Sequence, residues 1–328
     1  MIVKEKALQL GYSACGIIPA NIFEEFNSAL DDRLKSFPNS EKLYGWMNGF
    51  GTPPEGAKSI IVCIRGFSQY KIPPRLKKHF GKYYLFHSDV AYGPGFSMRA
   101  EFEAYLQVAG MGILNAHEFP IRWAAVKAGL GKFGYNNFFY TPQHGSYNHI
   151  DAWVVNTELD YDEYNGETTL PECNRNCKRC VAACPSNALE DGFSMDYGKC
   201  LTYLMFEQGL HTDEVMANMG EWLYGCDACQ DICPANNGKL TEEEDFPLLA
   251  QYDDYADPKK ILDMDNTTYT SIINPRFNRP GKDGLLKWKC NALRALINAG
   301  AEKELVHACC KHSEPSIRKI AEWGMSKN

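Results

Sequence analysis

The chain has 328 residues, enough for two or three domains and a sizeable buried core. Its longest strongly apolar stretch is about Ser59–Ile64, and its first ten residues mix charged with apolar positions, so we expect neither a membrane span nor a signal peptide and a cytoplasmic location. Thirteen cysteines are too many thiols for a reducing cytosol unless they hold metal. The formal charge of −7 is uneven: Pro275–Asn328 holds eleven Lys/Arg against five Asp/Glu, leaving the first 274 residues at −13.

The elements follow in chain order. Val3, Ala7, Leu8 and Leu10 predict a short amphipathic helix, Ser59–Arg65 a buried strand, and Met98, Phe102, Leu106 and Ala109 a long helix. Arg122–Ala128 reads as helix and Ile150–Asn156 as strand. Clusters of Pro and Gly at 53–56, 73–74 and 93–95 punctuate these as loops. We expect an α/β layer domain over 1–165, a cysteine-rich segment over 166–240, and a linker with helices over 241–328. Glu242–Asp245 reads as a solvated linker. The last segment predicts helices at Leu285–Ala299, Glu302–Lys311 and Glu314–Trp323, the third with Ser313 as N-cap and Gly324 beyond its end. Paired helices of this length resemble one HEAT-type repeat.

Eight cysteines form the chemical centre. Cys173-x3-Cys177-x2-Cys180-x3-Cys184-Pro185 is followed by Cys200 and by Cys226-x2-Cys229-x3-Cys233-Pro234. In a two-cluster ferredoxin arrangement the cysteine before proline crosses to the other cluster. That assigns Cys173, Cys177, Cys180 and Cys233 to one [4Fe–4S] cluster and Cys184, Cys200, Cys226 and Cys229 to the other. Four-thiolate zinc is the alternative, and the paired C-x2-C-x3-C-P signature favours iron–sulfur. Cys15, Cys63, Cys290, Cys309 and Cys310 read as small buried hydrophobes. Gly129–Gly134 matches a G-x-G-x-x-G pattern, but a helix precedes it where a dinucleotide site needs a strand, so it reads as a tight loop. Arg276, Arg279, Lys282, Lys287, Lys289 and Arg294 gather into a basic stretch suited to phosphate, with a solvated helix face as the plain alternative.

GYSACGI, the GWM at Gly45–Met47, PPEGAKSIIV, KAGLGKFGYNN, CLTYLMFE, YGCDACQDICP and KCNALRALINAG occur in one order. In that order the chain resembles the epoxyqueuosine reductase family, cobalamin-dependent iron–sulfur enzymes of queuosine synthesis in tRNA. The resemblance implies an α+β architecture: a nitroreductase-like cobalamin-binding domain, a two-cluster ferredoxin-like domain and C-terminal HEAT-like helices. It implies two [4Fe–4S] clusters and cobalamin, an external electron donor such as a flavodoxin or ferredoxin, and tRNA held partly by Arg276, Arg279, Lys287, Lys289 and Arg294. By position, Phe139, Gly145, Ser146, Thr202 and Tyr203 would lie near the corrinoid, with the 129–134 loop approaching it through backbone.

The family's proton donor is an aspartate three residues before a proline. Here that place in His117-Glu118-Phe119-Pro120 belongs to His117, and Gly95-Phe96-Ser97 stands near where the family has an Asp-Tyr-His run. These departures keep two alternatives in view: a corrinoid iron–sulfur reductase of a small molecule, resembling reductive dehalogenases, and a two-cluster electron-transfer protein without catalysis. Nothing in the sequence calls for an oligomer, and a monomer is expected.

Overall fold

The computed structural model describes residues 3–37, 41–87, 93–114, 119–174, 176–190, 193–207 and 211–327. Its centre is a four-stranded antiparallel sheet of order β1 (Ala14–Pro19), β2 (Ser59–Gly66), β6 (Asn148–Val155), β3 (Ile113–Leu114). A separate two-stranded hairpin pairs β4 (Lys132–Phe133) with β5 (Phe139–Tyr140). β2 is buried along its whole length because both sheet faces are covered, which is why it reads as an unbroken apolar run.

Alternation along β2 and β6 separates two cores. Ile60, Val62, Ile64 and Val154 face the helix Ile121–Lys127, whose Ala124, Ala125 and Val126 are fully buried. Ile61, Cys63, Trp153 and Val155 face the helices Val3–Gln9 and Pro94–Val108 through Ala7, Phe102 and Leu106. The five N-terminal elements expected from periodicity are present within a few residues of their expected ends. β1 was not expected: Gly16 and Pro19 break its pattern, and its register against β2 places Cys15 opposite Cys63.

The chain does not divide into three serial cores. The largest apolar cluster joins Phe67–Phe86 and Tyr147 of the first expected segment, Leu223 and Tyr224 of the second, and Phe246–Ala295 of the third. The expected linker therefore belongs to a core. Its acidic run is fastened too: the Glu243 and Glu244 amides donate to the Gln69 carbonyl, Glu244 pairs by backbone with Tyr70, and Lys77 and Lys71 bridge Glu242 and Asp245.

The C-terminal helices run Leu285–Asn298, Lys303–Cys309 and Pro315–Ser326 around Leu293, Val306, Ile317 and Ile320. Glu314, not Ser313, is the N-cap of the last, and no side chain caps it. Gly324 lies inside that helix, where a Cβ would come within 2.6 Å of Ile297, so this glycine serves helix–helix approach and not termination. Among the described residues no helix is long and apolar enough to cross a membrane.

Candidate electron-transfer centre and adjoining recess

The eight cysteines fall into two groups. Cys173, Cys177, Cys180 and Cys233 line one recess together with Gly134, Tyr135 and Asn136. The other four are mutual electrostatic neighbours: Cys184 and Cys200 act on Cys226, and all three act on Cys229. In each group the cysteine before a proline, Cys233 or Cys184, joins the set remote from its own run. Backbone amides already point at sulfur, Tyr135 N–H to Cys173 Sγ at 3.4 Å and Ala188 N–H to Cys184 Sγ at 3.3 Å. Such amides stabilise a thiolate in a metal cluster.

Burial first, and then the neighbouring thiols, push Cys180 up to about 11 and Cys226 up to about 12. Cys173, Cys200 and Cys229 are raised for the same leading reason. Four crowded, desolvated thiols would hold their protons; a polynuclear iron core reverses that balance by supplying positive charge, so the donor set fits a cluster in each group.

The 129–137 loop, expected to approach a corrinoid, lies along the first group. Tyr135 and Asn136 line that recess, Asn136 Nδ2 donates to the Cys229 carbonyl at 3.0 Å, and Tyr140 stands beside Cys233. Gly131 is required by close approach, since a Cβ would fall 2.2 Å from the Tyr140 carbonyl. The second group is docked by a buried ion pair that spacing could not reveal. Lys82, from the segment after the helix Pro74–His79, reaches Asp227 Oδ2 at 3.2 Å and Asp231 Oδ1 at 2.6 Å. The Lys82 amide and Gln230 Nε2 also donate to Asp227. Burial pushes the Asp227 carboxyl up while the Lys82 ammonium and these donors pull it back, and both aspartates hold the Lys82 ammonium above its ordinary range against desolvation.

Beside the second group stands a cluster of tyrosines, of which Tyr44 and Tyr197 are electrostatic neighbours of Cys200. Tyr203 packs on Tyr197 with ring centroids 4.9 Å apart and Tyr197 on Tyr44 at 5.9 Å, while Tyr83 and Tyr84 meet edge to face at 5.6 Å. Arg279 acts electrostatically on Tyr83, Tyr84 and Tyr197, and Arg122 on Tyr83. Arg122 is solvent-exposed and its Nη1 donates to the Asn137 carbonyl. Burial raises Tyr44 and Tyr203 to about 12, so their hydroxyls stay protonated donors at neutral pH. Half-buried flat walls with polar tips fit a macrocycle of the corrinoid kind. None of Tyr44, Tyr83, Tyr84, Tyr197 and Arg122 was singled out from sequence; only their convergence from distant segments marks them.

Of the residues expected at the corrinoid, Thr202 and Tyr203 lie beside the second group: Thr202 Oγ1 accepts the Cys226 amide at 3.0 Å, and Tyr203 packs on Tyr197. Phe139 is core. Gly145 and Ser146 are locked in the joint with the cluster segment. The Ser146 amide donates to Asn236 Oδ1 at 2.8 Å, its hydroxyl to Gln230 Oε1 at 2.9 Å, and a Cβ on Gly145 would meet Asn236 Oδ1 at 2.2 Å. Their polar groups and space are already taken. His117 lies outside the described residues.

Two of the expected phosphate ligands are also interior. Arg294 is 2% exposed and donates to the Gly220 carbonyl at 2.7 Å and to the Trp222 carbonyl. Arg276 is buried over the rings of Phe277, Phe246 and Tyr252 and donates to the Leu85 carbonyl. Their charge looked like surface, but it holds backbone carbonyls. Arg279 and Lys282 are exposed, and Lys287 and Lys289 are half-buried.

Residues 172–236 match a family described as a 4Fe-4S double cluster binding domain, which spans all eight cysteines. An epoxyqueuosine reductase of Cyclobacterium marinum is 28% identical over 304 residues, 87% of this chain and 91% of its own length. The structure of the Bacillus subtilis epoxyqueuosine reductase, with its catalytic aspartate loop swung out of the active site, is similar with a TM-score of 0.74 at 25% identity, over 98% of this chain and 88% of that one. An epoxyqueuosine reductase crystallised with an epoxyqueuosine-modified tRNA-Tyr stem loop matches at 0.74 and 25%, with the same coverage.

Proposed function

We propose that this chain, a relative of the epoxyqueuosine reductases along most of its length, is a cytoplasmic, monomeric oxidoreductase that reduces epoxyqueuosine to queuosine in tRNA. The observation that carries the reading is the tyrosine cluster set beside the second thiol group, with Thr202 bonded to the Cys226 amide, Tyr203 packed on Tyr197, and Cys200 a neighbour of Tyr44 and Tyr197. When bound, the clusters supply single electrons, drawn from a flavodoxin or ferredoxin, and a cobalamin supplies the two-electron chemistry that an epoxide demands. The chain's own part is placement and protons. Cys184, Cys200, Cys226 and Cys229 hold one cluster near these tyrosines, and Thr202 and Tyr203 border the corrinoid. The neutral hydroxyls of Tyr83, Tyr84 and Tyr197 orient polar groups that enter, and His117 delivers the proton to the opening oxygen. Arg279, Lys282, Lys287 and Lys289 meet the stem-loop phosphates.

The test is turnover of epoxyqueuosine-containing tRNA by the anaerobically reconstituted chain, read as nucleosides by mass spectrometry. Queuosine should accumulate with wild type and not with His117→Ala; no queuosine from a chain that has bound iron and cobalamin overturns the reading. For the RNA surface, Arg279→Ala and Lys289→Ala should each weaken tRNA binding and reduce the slope of log affinity against log salt by about 1. Arg294→Ala should leave that slope unchanged and lower the melting temperature.

A further inference from the structure

Where the helix Pro94–Val108 begins, the sheet face beneath it turns polar. The β2–β6 rungs there read Ile61 opposite Trp153, Cys63 opposite Asp151, then Arg65 opposite His149. Both residues of the last rung are 4% exposed. Arg65 Nη1 makes one long bond to the Phe86 carbonyl at 3.4 Å, but among the described residues its Nε and Nη2 have no hydrogen-bond partner, nor does His149 Nε2. Nε and Nη2 form one edge of the guanidinium, the edge that takes two parallel oxygens.

A second feature converges on the same point. Gly95, in the first turn of this 15-residue helix, lies against the guanidinium so closely that a Cβ would stand 2.4 Å from Cζ. No side chain caps this helix, so its positive end is open toward Arg65. Among the described residues Asp151 is an electrostatic neighbour of Arg65 and accepts the Tyr12 hydroxyl at 3.1 Å, and Glu103 is paired with Arg99. A buried cation with two open donors costs several kcal/mol unless an anion completes it.

We propose that Arg65, His149 and the N-terminus of the helix Pro94–Val108 bind the carboxylate of an organic acid, held side-on by Arg65 Nε and Nη2. One arginine next to Asp151 suits a monoanion better than a phosphate dianion, and burial keeps His149 neutral, so it adds a hydrogen bond and no charge. The surroundings favour an organic body. Phe67 and Tyr83 lie 5.0 and 4.5 Å from the His149 ring, and Tyr83 also belongs to the tyrosine cluster. The site is independent of the tRNA reading, because a nucleic acid presents phosphodiesters and no carboxylate.

The test titrates the anaerobic, cluster-loaded full chain with benzoate, acetate, chloride and inorganic phosphate, following heat of binding and melting temperature. Benzoate should bind saturably and raise the melting temperature, with acetate weaker. Arg65→Lys, which keeps the charge and loses the two-donor edge, should weaken benzoate roughly tenfold or more. Gly95→Ala, which displaces the guanidinium, should weaken it too. Cluster absorbance reports that each variant is folded, and the wild-type titration decides even if a variant is not. Absence of saturable carboxylate binding to wild type, tighter binding of phosphate or chloride than of benzoate, or unchanged benzoate affinity in both variants overturns the proposal.

Discussion

The two thiol groups are built from the same motif but sit in different surroundings. The first is closed by backbone, with Tyr135 N–H on Cys173 and Gly134–Asn136 along the recess wall. The second is closed by side chains: Thr202 on the Cys226 amide, the buried Lys82–Asp227 pair, and the tyrosine cluster beside it. A backbone lining is indifferent to side-chain identity, whereas a side-chain lining can be tuned to what lies next to it.

The largest effect should come from breaking the partition itself. Cys177→Ala with Cys233→Ala removes two ligands of one group and should leave about half the iron, since each cluster of a two-cluster chain has its own four ligands. Cys229→Ala with Cys233→Ala removes one from each and should leave almost none. Iron analysis and the visible spectrum of the two double variants check this; the reverse order, with the larger loss in Cys177→Ala with Cys233→Ala, would mean that Cys233 does not cross over.

How much of this could be read from sequence differs between the same two layers. Thiol spacing encodes its own geometry, so both quartets were legible, and continuous apolar runs revealed β2 and β6. The surroundings were not, because they arise from long-range packing. Arg294 and Arg276 look like surface charge until the carbonyls of Gly220 and Leu85 are brought to them. Gly324 looks like a helix stop until Ile297 is packed on it. Lys82 gains meaning only from Asp227, 145 residues away.

The docking of the second group is sharpened by Lys82→Met. Lys82 and Asp227 are 7% and 2% exposed at the side chain, so removing the ammonium leaves a buried carboxylate uncompensated and should cost about 3–5 kcal/mol. Adding Asp227→Asn should recover part of that loss, because the cost lies in the orphaned charge. Denaturant unfolding of the holoprotein measures both. The same pair of variants should leave the first group's spectrum unchanged, since none of its four cysteines touches this ion pair.

The smallest effect is a pH dependence seated mostly in the sheet half. Burial lowers His79, His144, His149 and His211 below the ordinary histidine range, leaving each neutral in the folded protein. The unfolded chain takes up protons on them near pH 6.5, so it binds more protons than the folded state below that value. Stability is therefore fully present above about pH 6.5 and is lost as pH falls toward the folded pKa values, by at most about 1.4 kcal/mol per pH unit for each group. Melting temperature from pH 7.5 down to 6 should fall with decreasing pH, and His144→Gln, which keeps a polar partner for Ser68 Oγ at 3.0 Å, should flatten the slope. A flat profile would mean that these rings gain compensating bonds when protonated. That would be hardest to reconcile at His149, where Arg65 and His87 both oppose a positive charge.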